Sequence, residues 1–97
     1  MSGTSHVIAS NDPSDHMRFG RSMIGKSGEV HSIAAGIPFR HRVRFDGCEL
    51  TANDEVVLSG MLLGAHGPVR YWSCRVATIV RIEEFAEVVQ FVRNTDR

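Results

Sequence analysis

Arg18-Phe19-Gly20-Arg21-Ser22-Met23-Ile24-Gly25-Lys26-Ser27 decides which fold this 97-residue chain can adopt. From Gly20 to Ser27 the residues match the phosphate-binding loop Gly-x-x-x-x-Gly-Lys-Ser at every fixed position. Such a loop works only between a buried strand and a helix whose first N–H groups face the phosphates. The flanks offer neither. Asn11 to Met17 is too polar for a buried parallel strand. After Ser27 the chain meets Gly28, Gly36 and Pro38, which leaves Glu29 to Ala35 too short for the required helix. No apolar run ending in Asp follows to hold magnesium, and the strand–helix alternation of a nucleotide-hydrolysing fold is missing. The match is read as coincidental, with Ser22 to Ser27 a short strand and turn.

Outward from this stretch, the period is near two, which predicts strands. Glu29 to Ala34 is short. Phe39 to Asp46 is the clearest, with Phe39, His41, Val43 and Phe45 on one face and Arg40, Arg42, Arg44 and Asp46 on the other. Gly47 is expected to break it. Glu55 to Leu63 forms the next strand, interrupted by Gly60, and Gly64 to Pro68 is a turn. Val69 to Ile82 runs long, with Trp72, Cys74, Val76, Val80 and Ile82 sharing a face. Glu87 to Val92 reads as a closing strand or a short C-terminal helix. Met1 to His16, rich in Ser, Asn, Asp, Gly and Pro, reads as a flexible tail without the features of a secretion signal. The expected fold is all-β: a small antiparallel β-barrel of about six strands over residues 17–97.

Composition excludes several function classes. The formal charge is zero, so no global field draws in nucleic acid or anionic lipid. No apolar run reaches membrane-spanning length. Cys48 and Cys74 are too few for a disulfide scaffold and too far apart for a zinc pair, which predicts reduced thiols and a cytoplasmic location. His31, His41 and His66 show no ligand spacing with them, so no metal and no cofactor are expected. No catalytic triad or carboxylate pair stands out, so no enzyme is expected.

The segment Gly28-Glu29-Val30-His31-Ser32-Ile33-Ala34-Ala35-Gly36-Ile37-Pro38-Phe39 resembles the second signature of PilZ domains, small bacterial barrels that bind cyclic di-GMP. Arg18-Phe19-Gly20-Arg21 looks like the end of that family's arginine arm. Downstream, Leu50 to Leu58, Cys74 to Ile82 and Val88-Val89-Gln90-Phe91 are similar to its later strands. The resemblance implies Arg18, Arg21, Ser32 and Gly36 as ligand-binding positions. Met17 stands where the arm's first arginine belongs, and alignment on Ile37 puts Ser32 at the Asp/Asn position and Ala34 at the Ser position. Taking Gly36 as the motif glycine instead puts His31 and Ile33 in those slots. Each lost charge-assisted bond costs about 1.5–3 kcal/mol. The resemblance thus implies an adaptor that binds cyclic di-GMP weakly or not at all and acts through protein contacts.

Arg40, Arg42 and Arg44 project from one strand face about 6.8 Å apart. They read as an anion or partner surface, or as a solvated face whose arginines pair with Asp46, Glu49, Glu55 or Glu83. Aromatic residues do not interleave with them, which disfavours nucleic acid. The alternative function is an unrelated small barrel that binds a protein partner, or forms a homodimer, through this face.

Overall fold

The structure is a computed structural model that describes residues 4–64 and 70–85. Along the chain come β1 (Ser5–Val7), α1 (Pro13–Met23), β2 (Ser27–Ala34), β3 (Ile37–Leu50), β4 (Val56–Leu62), β5 (Tyr71–Arg75), a 3₁₀ turn (Val76–Thr78) and β6 (Ile79–Glu84). The six strands form one sheet in the order β1-β6-β2-β3-β4-β5, antiparallel throughout. The all-β expectation holds. The sheet is open rather than closed into a ring: β1 and β5 are its edges, and no ladder joins them among the described residues. No described helix is long and apolar enough to cross a membrane. The turn expected at Gly64 to Pro68 and the closing element at Glu87 to Val92 lie largely or wholly outside the described residues.

From Ser5 to His16 the chain is built into the fold, where its composition predicts a flexible tail. Ser5–Val7 pairs with β6, opposite Glu83 to Arg81, and His6 Nε2 lies 2.9 Å from Glu84 Oε1. Asp12 caps α1 by accepting a hydrogen bond from the Ser14 N–H at 2.9 Å, and Pro13 opens the first turn, where a missing N–H costs nothing. Asp15 and Arg21 stand at the ends that suit the helix dipole. The polar residues that suggested a tail are the chemistry of a helix start.

α1 also settles the opening stretch. Gly20 lies inside the helix, and the helix precedes Gly25 and Lys26 instead of following them. The Gly25 N–H donates to the Phe45 carbonyl at 2.9 Å and the Lys26 N–H to the Met23 carbonyl at 2.9 Å. The amides that a phosphate loop would have to present are spent on main-chain bonds. His16, Gly20 and Met23, at i, i+4 and i+7, form the buried face, and α1 lies against β3 and β4.

β3 runs past the expected break. Its register against β4 steps from Phe45↔Gly60 to Gly47↔Ser59, so Asp46 is the extra residue of a bulge that bends the strand without ending it. Gly60 does not interrupt β4. A Cβ there would overlap the Arg44 carbonyl oxygen, so glycine is what lets β3 and β4 approach. Ala35 and Gly36, both at positive φ (53° and 79°), make the tight turn between β2 and β3.

The predicted long strand from Val69 to Ile82 is two strands. The 3₁₀ turn resets the alternation, so Ile79 is 5% exposed and Val80 43%. Between His31↔Arg81 and Ser32↔Ile79, Val80 is the unpaired residue of a second bulge. The core gathers Met23 from α1, Val30, Val43, Phe45, Leu58 and Trp72 from the strands, and Val76 from the 3₁₀ turn. Phe45 meets Trp72 edge-on at 6.1 Å between ring centroids.

Candidate functional site

The outer face of β2, β3 and β6 is set by strand parity. Val30 and Ser32, Val43 and Phe45, and Ile82 turn inward and are buried. Their neighbours turn outward: Glu29, His31 and Ile33 on β2, Pro38, Arg40, Arg42 and Arg44 on β3, Arg81 and Glu83 on β6. The register makes rows of them. His31 stands between Arg40 and Arg81, Glu29 between Arg42 and Glu83, and Ser27 faces Arg44.

Arg40, Arg42 and Arg44 are exposed, as the alternation predicts, and none lies within 4.0 Å of a carboxylate among the described residues. The expected neutralisers are placed elsewhere. Glu83 Oε2 takes Arg81 Nε at 2.9 Å, Glu55 takes Arg75 at 3.3 Å, and Asp46 accepts from the Tyr71 hydroxyl at 3.4 Å. Glu49 makes no ion pair among the described residues. Arg42 instead places its guanidinium 5.2 Å from the centroid of the Phe85 ring. The arginine row borders a hollow of about 350 Å³ lined by Ile33, Pro38 and Val80 together with Arg40 and Arg81.

The positions implied by the PilZ resemblance are spread over the molecule. Arg18 and Arg21 line a hollow of about 540 Å³ beside α1, with Met17 and Leu50, and Arg18 donates to Asp15 at 3.0 Å. The Ser10 hydroxyl, with that guanidinium, holds the Asp15 carboxyl below its ordinary range. Ser32 is buried on the inner face opposite Phe39, and Gly36 is in the turn that precedes Ile37. α1 meets β3 at Cys48, whose Sγ lies 3.7 Å from Met17 Sδ. Phe39 to Cys48 is roughly 30 Å of strand before bending. Arginine pair and turn glycine thus sit toward opposite ends of β3.

Ser32 instead borders an open hollow of about 540 Å³ on the other face of the sheet, with Phe39, His41, Trp72 and Cys74. The ring of His41 is stacked on that of Phe39 at 6.3 Å, and its Nδ1 is buried without a hydrogen-bond partner among the described residues. Burial pushes the Cys74 thiol up to about 11 and raises Cys48 as well, so neither is poised as a nucleophile. Both are free thiols, as expected.

One arrangement escaped the sequence reading. Donor atoms of Glu29, His31 and Glu83 lie within 4.8 Å of one another. The alternation of Glu29 and His31 was visible in sequence, but Glu83 joins them through a long-range strand pairing that carries no local signal. No family model, curated protein or solved structure matches the chain.

Proposed function

We propose that the chain is a cytoplasmic, non-enzymatic binding module that takes an acidic protein partner on the outer face of β2, β3 and β6, and that binds cyclic di-GMP weakly or not at all. The row Arg40, Arg42, Arg44 carries this reading: three exposed like charges on one strand face, none with a carboxylate within 4.0 Å among the described residues, although Glu29 stands opposite Arg42. An acidic partner would offset the charge of such a row more fully than the facing Glu29 does. The adjoining hollow at Ile33, Pro38 and Val80 supplies the apolar centre that a stable interface needs inside a charged rim. The weak-nucleotide half of the reading rests on the spread of Arg18, Arg21, Ser32 and Gly36, since one small ligand cannot span both ends of β3.

The test is fluorescence anisotropy of a labelled Asp/Glu-rich peptide carrying one leucine, at low and raised salt. The parent binds it in a salt-sensitive way, and Arg40→Glu/Arg44→Glu weakens binding by at least about tenfold. Equal binding by parent and variant, or none by either, overturns the proposal. Calorimetry with cyclic di-GMP is the second arm: micromolar binding lost in Arg21→Ala would restore the nucleotide-sensor reading. Sedimentation at several concentrations is the third, and a parent dimer abolished by the same double variant would assign the face to a second copy of the chain.

A further inference from the structure

We infer that Glu29, His31 and Glu83 form a binding site for a borderline divalent transition metal of the zinc class. An antiparallel ladder can aim three ligands at one point when two come from i and i+2 on one strand and the third stands directly opposite on its neighbour. That is the placement here: Glu29 and His31 share the outer face of β2, and Glu83 is the register partner of Glu29 on β6. Their donor atoms already lie within 4.8 Å of one another. Ligands at about 2.0–2.2 Å from one ion lie within about 4 Å of each other, so small rotations of the two glutamates complete the set.

Two independent features point to a cation. The first is His31 Nε2, which is buried and has no hydrogen-bond partner among the described residues. It lies 3.3 Å from Glu29 Oε1, but not in line for a hydrogen bond, on a side chain only 16% exposed. A covered imidazole nitrogen without a partner costs stability, and a metal ion would satisfy it. The second is the direct opposition of Glu29 and Glu83, like charges of which only Glu83 has an arginine within 4.0 Å among the described residues, and which a shared cation would draw together.

The surroundings set the character of the site. Arg81 Nε holds Glu83 Oε2 at 2.9 Å, which leaves Oε1 for the metal and fixes the carboxylate as an outer-shell partner does. Arg40 and Arg81 flank His31, and Arg42 faces Glu29. These positive charges lower affinity for any cation and disfavour hard ions that depend on charge alone. One imidazole with two carboxylates suits Zn²⁺ or Co²⁺, with water completing the shell. The inference is independent of the acidic-partner reading, because it uses different side chains on the same face.

Zn²⁺ titration by calorimetry and Co²⁺ titration by visible absorption test it on the full chain. One equivalent of Co²⁺ should give the intense bands of a low-coordinate site, and Zn²⁺ should displace it. His31→Ala and Glu83→Gln should each weaken Zn²⁺ binding by at least about tenfold, with unchanged far-UV circular dichroism. His6→Ala, which removes a histidine outside the cluster, should leave it unchanged. No saturable Zn²⁺ binding up to millimolar concentration, or binding that survives His31→Ala and Glu83→Gln, overturns the assignment. Loss in His6→Ala with retention in His31→Ala moves the ion to another site and overturns it equally.

Discussion

Replacing Gly20 by alanine distinguishes a helix packed on the sheet from either loop reading of the opening stretch. In an exposed helix interior, Gly→Ala stabilises by about 1 kcal/mol. Gly20 is buried on the side of α1 that meets β3 and β4. A Cβ there would overlap Cys48 Sγ and lie 3.4 Å from Cys48 Cβ and 3.8 Å from Leu58 Cδ1. Overpacking of this kind costs about 1–3 kcal/mol, so the net expectation is a loss of up to about 2 kcal/mol. Cys48→Ala removes the sulfur and leaves contacts of ordinary van der Waals size. In that background Gly20→Ala should stabilise, by up to about 1 kcal/mol. The coupling between the two substitutions is then about 1–3 kcal/mol, well beyond the additivity expected of distant sites. Urea unfolding of the four proteins measures it, followed by far-UV circular dichroism and by Trp72, the only tryptophan, buried against Phe45. A full gain from Gly20→Ala in the parent, or a coupling below about 0.5 kcal/mol, would refute the docking of α1 on Cys48.

Gly60→Ala should cost about 3 kcal/mol or prevent folding, because its Cβ meets the Arg44 backbone, which has nowhere to go. Gly36→Ala meets no atom of the described residues and should cost only the strain of φ +79°, about 1 kcal/mol, in the same urea assay. Asp12→Ala should cost about 1 kcal/mol through the lost cap on the Ser14 N–H. Burial raises the Cys74 thiol from 9.0 to about 11, so the folded state holds this proton where the unfolded chain has lost it. Stability from this group is complete below pH 9 and falls as pH rises through 11, by roughly 2–3 kcal/mol. Alkaline unfolding of Cys74→Ala, compared with the parent, should lack that component.

How much of this was legible follows from where each signal resides. β3 was readable because Val43 and Phe45 alternate with Arg42 and Arg44, and the arginine row came with it. α1 was hidden because two of its three buried positions are His16, which is tied to the Ser10 carbonyl, and Gly20, which is covered only because Cys48 and Leu58 lie against it. Its cap, Asp12-Pro13, was present but read as tail chemistry. Val80 leaves the face that simple alternation assigns it because three residues of 3₁₀ turn and a bulge shift parity, and neither leaves a mark in composition. The spread of Arg18, Arg21, Ser32 and Gly36 could not be seen without the strand between them. Glu83 joins Glu29 and His31 only through the β2–β6 register.

The most direct test of the central claim is a nuclear magnetic resonance titration that follows the arginine Nε–Hε signals of the labelled chain, with the acidic peptide and, separately, with cyclic di-GMP. The peptide should shift Arg40, Arg42 and Arg44, in a salt-sensitive way, and leave Arg18 and Arg21 in place. Peptide shifts confined to Arg18 and Arg21, or saturable shifts of that pair by micromolar cyclic di-GMP, would contradict that claim.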